Sequence, residues 1–236
     1  MDRRRRARQK ARRAGRGGAG VHQRHGGLRR APAVRRREAV GLRPRAVRVR
    51  DQGVHQHPDG VGRAGQITLE TERLVLEPVS PAHADGIYRA VMDSRPELLP
   101  WMPWAREPKL DVNVDMSRDD RLLHFAVIER ESGTVLGVAG LNREGADEAE
   151  LHYWIRTDHA GRGLTTEACR ALVAWARDGL GLSRLTLWAG RDNHASRRVA
   201  SKLGFVHLGP LGWRPEGGLG DFPAESYELV FTSSIG

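Results

Sequence analysis

Glu150-Leu151-His152-Tyr153-Trp154-Ile155 is followed, four residues later, by Ala160-Gly161-Arg162-Gly163-Leu164-Thr165-Thr166-Glu167-Ala168. The first stretch reads as a strand. The second opens a helix that runs to Asp178, with Gly179 as its stop. Leu164, Ala168, Ala171, Leu172 and Trp175 share one face of that helix. Two glycines flank a basic residue where strand passes into helix. Glycine lets the backbone turn tightly and approach a ligand without a Cβ in the way. The first N–H groups of a helix lack partners and lie at the positive end of its dipole, so this junction suits a diphosphate. A dinucleotide fits poorly. Thr166 stands where the third glycine of G-x-G-x-x-G belongs, and several strands precede the turn.

On the N-terminal side of this junction, Leu74-Val75-Leu76 predicts a strand over 67–77. Pro81 opens a helix to about Met92, with Ile87, Ala90 and Val91 at helical spacing. Leu98-Leu99-Pro100-Trp101-Met102-Pro103-Trp104 is too proline-rich for a long helix. It reads as a loop whose Trp101 and Trp104 wall a substrate pocket or plug the core. Residues 111–121 are polar and acidic, with a short helix expected. His124 to Glu129 and Thr134 to Leu141 read as a hairpin turned at Glu131-Ser132-Gly133. On the C-terminal side come a strand at Leu185-Thr186-Leu187-Trp188, a helix from Ala195 to Leu203 closed by Gly204, and strands at 205–208 and 226–231. This order predicts an α/β domain, a mixed sheet with helices on both faces.

The net charge of +10 averages two unlike parts. Residues 1–65 hold 19 Arg and one Lys against four acids and no aromatic residue, whereas the rest holds 19 basic and 25 acidic residues. Residues 1–65 cannot bury enough apolar surface to offset their ordering entropy, and read as a disordered Arg/Gly-rich tail. Two readings of it stand: an upstream extension from a mis-assigned start in GC-rich DNA, or a segment that binds nucleic acid weakly through its phosphates. It lacks the apolar core of a secretory signal and the serines of a transit peptide. Residues 66–236 suit one domain. No apolar run is long enough for a membrane span, and a lone cysteine, Cys169, implies no disulfide and no metal cluster. A cytoplasmic protein, monomer or homodimer, is the expectation.

Four stretches, in this order, resemble the GNAT superfamily of acyl-CoA-dependent N-acyltransferases, in particular its RimJ/RimL branch, whose named members acetylate the N-termini of ribosomal proteins. They are Thr71-Glu72-Arg73-Leu74-Val75-Leu76, the Trp101–Trp104 loop, the Gly161–Ala168 turn, and Asp192-Asn193-His194-Ala195-Ser196 with Lys202-Leu203-Gly204-Phe205. The resemblance covers about residues 67–231. It implies a GNAT-type domain with a mostly antiparallel central sheet splayed in the middle. The sequence departs from the family at Ala160, where Gln or Arg is usual, and at Thr165, where Gly or Ala is usual.

The resemblance further implies an acetyltransferase using acetyl-CoA and no metal. The amine attacks the thioester directly, so the enzyme supplies proximity. Gly161, Arg162, Gly163, Leu164, Thr165 and Thr166 would cradle the diphosphate. The backbone of Tyr153, Trp154 and Ile155 would hold and polarise the thioester arm. Asn193 would bond the cofactor, and Ser196 would protonate the leaving thiolate. Asn193 reads equally as a helix cap and Ser196 as a first-turn residue. Glu150 occupies the position of a catalytic Glu in several members. Strand alternation puts His152 on its face as an assistant, and Glu216 is a weaker alternative. An α-amine is roughly 10–15% neutral at pH 7 and a lysine amine well under ~0.1%, which favours a protein N-terminus as acceptor. Small amines such as antibiotics or polyamines are the alternative acceptors. A nucleic-acid- or ribosome-associated module without turnover is the alternative of another class.

Overall fold

A computed structural model describes residues 47–51, 67–108, 121–211 and 223–232. All of them fall in the compact unit Val40–Gly236. The short helix expected at 111–121 lies outside the described residues apart from Arg121, as do Glu216 and most of the tail.

Among the described residues nine strands form one sheet: β1 (Arg48–Asp51), β2 (Ile67–Glu70), β3 (Leu74–Pro78), β4 (Leu122–Glu129), β5 (Val135–Arg143), β6 (Glu148–Ile155), β7 (Arg184–Gly190), β8 (Val206–Pro210) and β9 (Ala224–Val230). Their spatial order is β1-β2-β3-β4-β5-β6-β7-β9-β8. Every neighbouring pair is antiparallel except β6 and β7, which run parallel. The helices are α1 (Ala84–Asp93), α2 (Arg95–Leu98), α3 (Leu164–Asp178) and α4 (His194–Lys202). The expected α/β sheet with helices on both faces is present.

The periodicities explain the layers. On α3 the predicted stripe of Leu164, Ala168, Ala171, Leu172 and Trp175 is buried, together with Cys169. It packs on one face of the sheet against Leu74, Leu76, Phe125, Leu141 and Leu151. Phe125 and Trp175 meet edge-on, with centroids 5.4 Å apart. Ile87, Ala90 and Val91 of α1 cover the opposite face with Leu98, Ala126, Val138 and Trp154. Each such leucine or valine contributes about 1.5–3 kcal/mol by leaving water.

Two details differ from expectation. The strand predicted over 67–77 is a hairpin, β2 and β3, with Leu69 opposite Leu76. Thr71 donates its N–H to the Leu74 carbonyl at 2.9 Å, and its hydroxyl accepts the Leu74 N–H at 3.0 Å, which closes a turn at the polar run Glu70-Thr71-Glu72-Arg73. Secondly, four residues of the stretch read as tail form β1, in register with β2. Arg50 pairs with Glu70 at 2.8 Å, and Val47 packs at the rim of the core. The alternating Arg-Val-Arg-Asp needs only an open strand edge to pair with.

Candidate active site

β6 and β7 are in register only from Glu148–Glu150 to Arg184–Thr186. Beyond that point both strands continue without pairing to each other, so the sheet splays at Glu150. Alternation decides which amides face the gap. The Arg156 N–H bonds the Leu136 carbonyl of β5 at 2.7 Å, and the Asp147 carbonyl accepts from Ser183 ahead of β7 at 2.8 Å. Even-numbered residues of β6 therefore turn their backbone groups to β5 and odd-numbered ones to β7. The Tyr153 and Ile155 amides face the gap, whereas the Trp154 amide is directed at β5.

The glycine turn stands at the end of this opening. Gly161 and Gly163 have φ of 76° and 80°, left-handed values that only glycine adopts without strain. Gly163 caps α3 with no side-chain hydrogen bond, and the first amide bonded within the helix is Glu167 to Gly163, at 3.0 Å. Leu164 and Thr166 point into the core, Thr165 is half-buried, and Arg162 bonds Glu129 of β4 at 3.2 Å. The backbone N–H groups from Leu164 to Thr166 are the donors the turn offers.

A residue cluster without an assigned role in the sequence holds the turn in place. Glu167 accepts the Thr71 hydroxyl at 2.7 Å, the Arg73 N–H at 2.9 Å and the Arg73 guanidinium at 2.6 and 2.8 Å. Arg73 also donates to the Arg162 carbonyl at 3.1 Å. Burial disfavours the Glu167 carboxylate, but these bonds outweigh it and hold its pKa below the usual range. The turn between β2 and β3 thus anchors the first turn of α3.

Across the gap, Asn193 caps α4 by accepting the Ser196 N–H at 3.0 Å. The Ser196 hydroxyl lies 2.9 Å from the Tyr153 hydroxyl. Burial pushes the Tyr153 phenol well up, so it stays protonated. Tyr153 enters this side by its hydroxyl as well as its backbone, a placement that needs α4 docked on β6.

Glu150, His152 and Trp154 share the opposite face of β6, as alternation predicted. Trp104 covers Trp154 with centroids 5.9 Å apart, while Trp101 is half-buried near α2. Burial, followed by repulsion from Glu144, raises the Glu150 pKa to about 7 against hydrogen bonds donated by Trp188 and Asn142. His124 is buried on β4, 2.9 Å from Asn142 Oδ1. Its ring meets His152 at 4.2 Å. Gly140 lies between them in register, and a Cβ there would come within 2.8 Å of His152 Nε2. Burial lowers the pKa of both histidines, in His152 to well below the usual value, so both are neutral at pH 7. Sequence reasoning passed over His124, Asn142 and Trp188. The available signal was a polar residue inside an otherwise apolar strand. Among the described residues no cluster of His, Cys, Asp or Glu has the makeup of a metal site.

Residues 73–206 match the family model of the acetyltransferase (GNAT) domain. The chain belongs to the GNAT acetyltransferase family. It is an acyl-CoA-dependent acetyltransferase. Among GNAT relatives, YdaF of Bacillus subtilis (strain 168) is 26% identical over 153 residues, 58% of this chain and 80% of YdaF. The ribosomal-protein-serine acetyltransferase of Escherichia coli (strain K12) is 24% identical over 151 residues, 60% of this chain and 83% of that protein. The solved structure of the microcin C7 self-immunity acetyltransferase MccE in complex with acetyl-CoA and AMP shares the GNAT fold at a TM-score of 0.60. That match is 17% identical and covers 75% of this chain and 98% of MccE.

Proposed function

We propose that this enzyme acetylates the N-terminal α-amine of a protein substrate, with acetyl-CoA as donor and Glu150 as general base. The observation that carries this reading is the Glu150 carboxyl, whose pKa is raised to about 7 at the point where β6 leaves β7. A base poised near neutral pH matches an α-amine of pKa ~7.7–8. His152 and Trp154 follow it on the same face of β6, and Trp104 packs on Trp154. The acidic balance of residues 66–236 favours a cationic acceptor. The ribosomal-protein activity named for the relative from Escherichia coli agrees with a protein acceptor.

The donor's diphosphate is placed at the Leu164–Thr166 amides and its arm in the β6–β7 gap, where Tyr153 or Ile155 N–H polarises the thioester carbonyl. Glu150 takes a proton from the ammonium. The amine nitrogen forms its bond to the carbonyl carbon, and the carbon–sulfur bond breaks. The departing sulfur receives a proton from Ser196, which the Tyr153 hydroxyl backs at 2.9 Å. The second proton shed by the amine nitrogen as the amide forms restores the Ser196 hydroxyl through solvent, leaving amide, thiol and protonated Glu150.

Calorimetry with acetyl-CoA, followed by rates on N-terminal peptides and on small amines, tests the assignment. Glu150→Gln is expected to lower kcat by about 100-fold or more while leaving acetyl-CoA affinity unchanged. In the wild type, kcat/KM rises with pH through about 7, since the base must be deprotonated. Preference for a polyamine or an aminoglycoside over every peptide would replace the proposed acceptor. Undiminished turnover in the Gln variant would remove Glu150 from the mechanism.

A further inference from the structure

We propose that His124 is a positioning residue for Glu150: through Asn142 it determines which end of an amide meets the Glu150 carboxyl. This rests on the reading of Glu150 as the base. The three residues come from three adjacent strands. Asn142 of β5 lies opposite Glu150 of β6, and His124 of β4 lies opposite Gly140, two residues along β5 from Asn142.

Asn142 has one acceptor and one donor end. Its Oδ1 is 2.9 Å from His124 Nε2. A carbonyl oxygen only accepts, so Nε2 carries the hydrogen, and the amide NH2 is left to donate to Glu150. The reverse orientation puts a carbonyl oxygen against the carboxylate and requires a bare Nε2 on His124. The tautomer of His124 and the donor at Glu150 are therefore locked together. Burial keeps His124 neutral, so a single ring N–H is present and its position decides the amide. His152 packs edge-on against His124 and limits its rotation. Gly140 leaves room for that contact. Among the described residues, the other groups on this side of Glu150 are Glu144 after β5, Arg184 with its partners Glu148 and Glu228, His152, and Thr186 and Trp188 of β7. Thr186 bonds Glu144, the carboxylate that repels Glu150, at 3.2 Å and so tethers it. Asn142 joins Glu150 to β4, and Trp188 joins it to β7.

Removing the N–H that fixes the amide weakens the donor to the carboxylate and raises the pKa of the base. The experiment uses the full chain. Ring nitrogen shifts by NMR report the His124 tautomer in the wild type at pH 7. The acid limb of kcat/KM for a peptide amine is then compared in wild type, His124→Leu, His124→Gln and Glu150→Gln. Expected are an Nε2–H tautomer and a limb moved up by about one pH unit in His124→Leu, a ~10-fold loss on the acid side. KM for acetyl-CoA should not change, and His124→Gln, which keeps a donor, should restore the limb. An Nδ1–H tautomer overturns the proposal whether or not the variants fold. An unmoved limb in folded His124→Leu overturns it as well. If Glu150→Gln itself keeps the limb, the base assignment fails and the tautomer still reports on the Asn142 orientation.

Discussion

Glu150 is held where its charge is least welcome, which ties its chemistry to folding stability. Its folded pKa, about 7, stands above the ordinary 4.5, so folding favours the protonated acid. That contribution is complete below about pH 4.5 and is lost as pH rises through 7. Glu150→Gln cannot titrate. In urea unfolding the variant is expected to gain on the order of 2–3 kcal/mol over wild type at pH 8 and nothing comparable at pH 4.5. An equal difference at both pH values would show that the carboxyl is not strained by burial. His124 and His152 act in the opposite sense. Their folded pKa values are lowered, so their contribution is whole above about 6.5 and declines as pH falls below it.

At the scale of elements, the turn before α3 depends on a hairpin far away in sequence. The loop from Gly161 to Gly163 has little side-chain packing of its own. Thr71 and Arg73 fix its position through Glu167, 94 to 96 residues along the chain. Glu167→Ala removes the acceptor of all these donors. A cost of about 2 kcal/mol is expected from hydrogen bonds to a charged group, which lowers the melting temperature by ~4–8 °C in a domain of this length. Acetyl-CoA affinity, read by calorimetry, should fall by about 10-fold, the size of a ~1.4 kcal/mol loss of cradle geometry. Full affinity at reduced stability would confine the cluster to holding the fold.

For the whole molecule, β1 carries the sheet past the boundary expected at residue 65. A chain starting at Val47 keeps the edge strand, and one starting at Ile67 leaves the β2 edge bare. Loss of β1 is expected to lower the melting temperature by ~2–4 °C, the effect of about 1 kcal/mol, with acetyl transfer retained. Removing only residues 1–46 should leave the melting temperature where it is, and an equal drop in both truncations would assign the lost stability to those residues. The basic residues there are the place to look for RNA binding. If present, it should weaken steeply with salt and vanish on their deletion.

The sequence by itself determined whatever depends on neighbours along the chain. The apolar stripe of α3, the β4–β5 hairpin, the glycine turn and the order of motifs were all legible, because helix and strand periods and glycine's freedom are local properties. The same held for the sharing of one face by Glu150, His152 and Trp154. The break at Thr71–Arg73 was passed over although Glu70-Thr71-Glu72-Arg73 interrupts the apolar pattern; the Thr71–Leu74 bonds that close it are local, and Glu167 on α3 adds to them. Only the tertiary structure decided the rest. The direction of the Tyr153 and Ile155 amides follows from pairing of β6 with β5. The Glu150 pKa follows from burial beside Glu144, Asn142 and Trp188. The row of His124, Gly140 and His152 exists only once three strands are in register. Each of these is a relation between residues distant in the chain, and strand register, which a one-residue slip would reverse, is what brings them together.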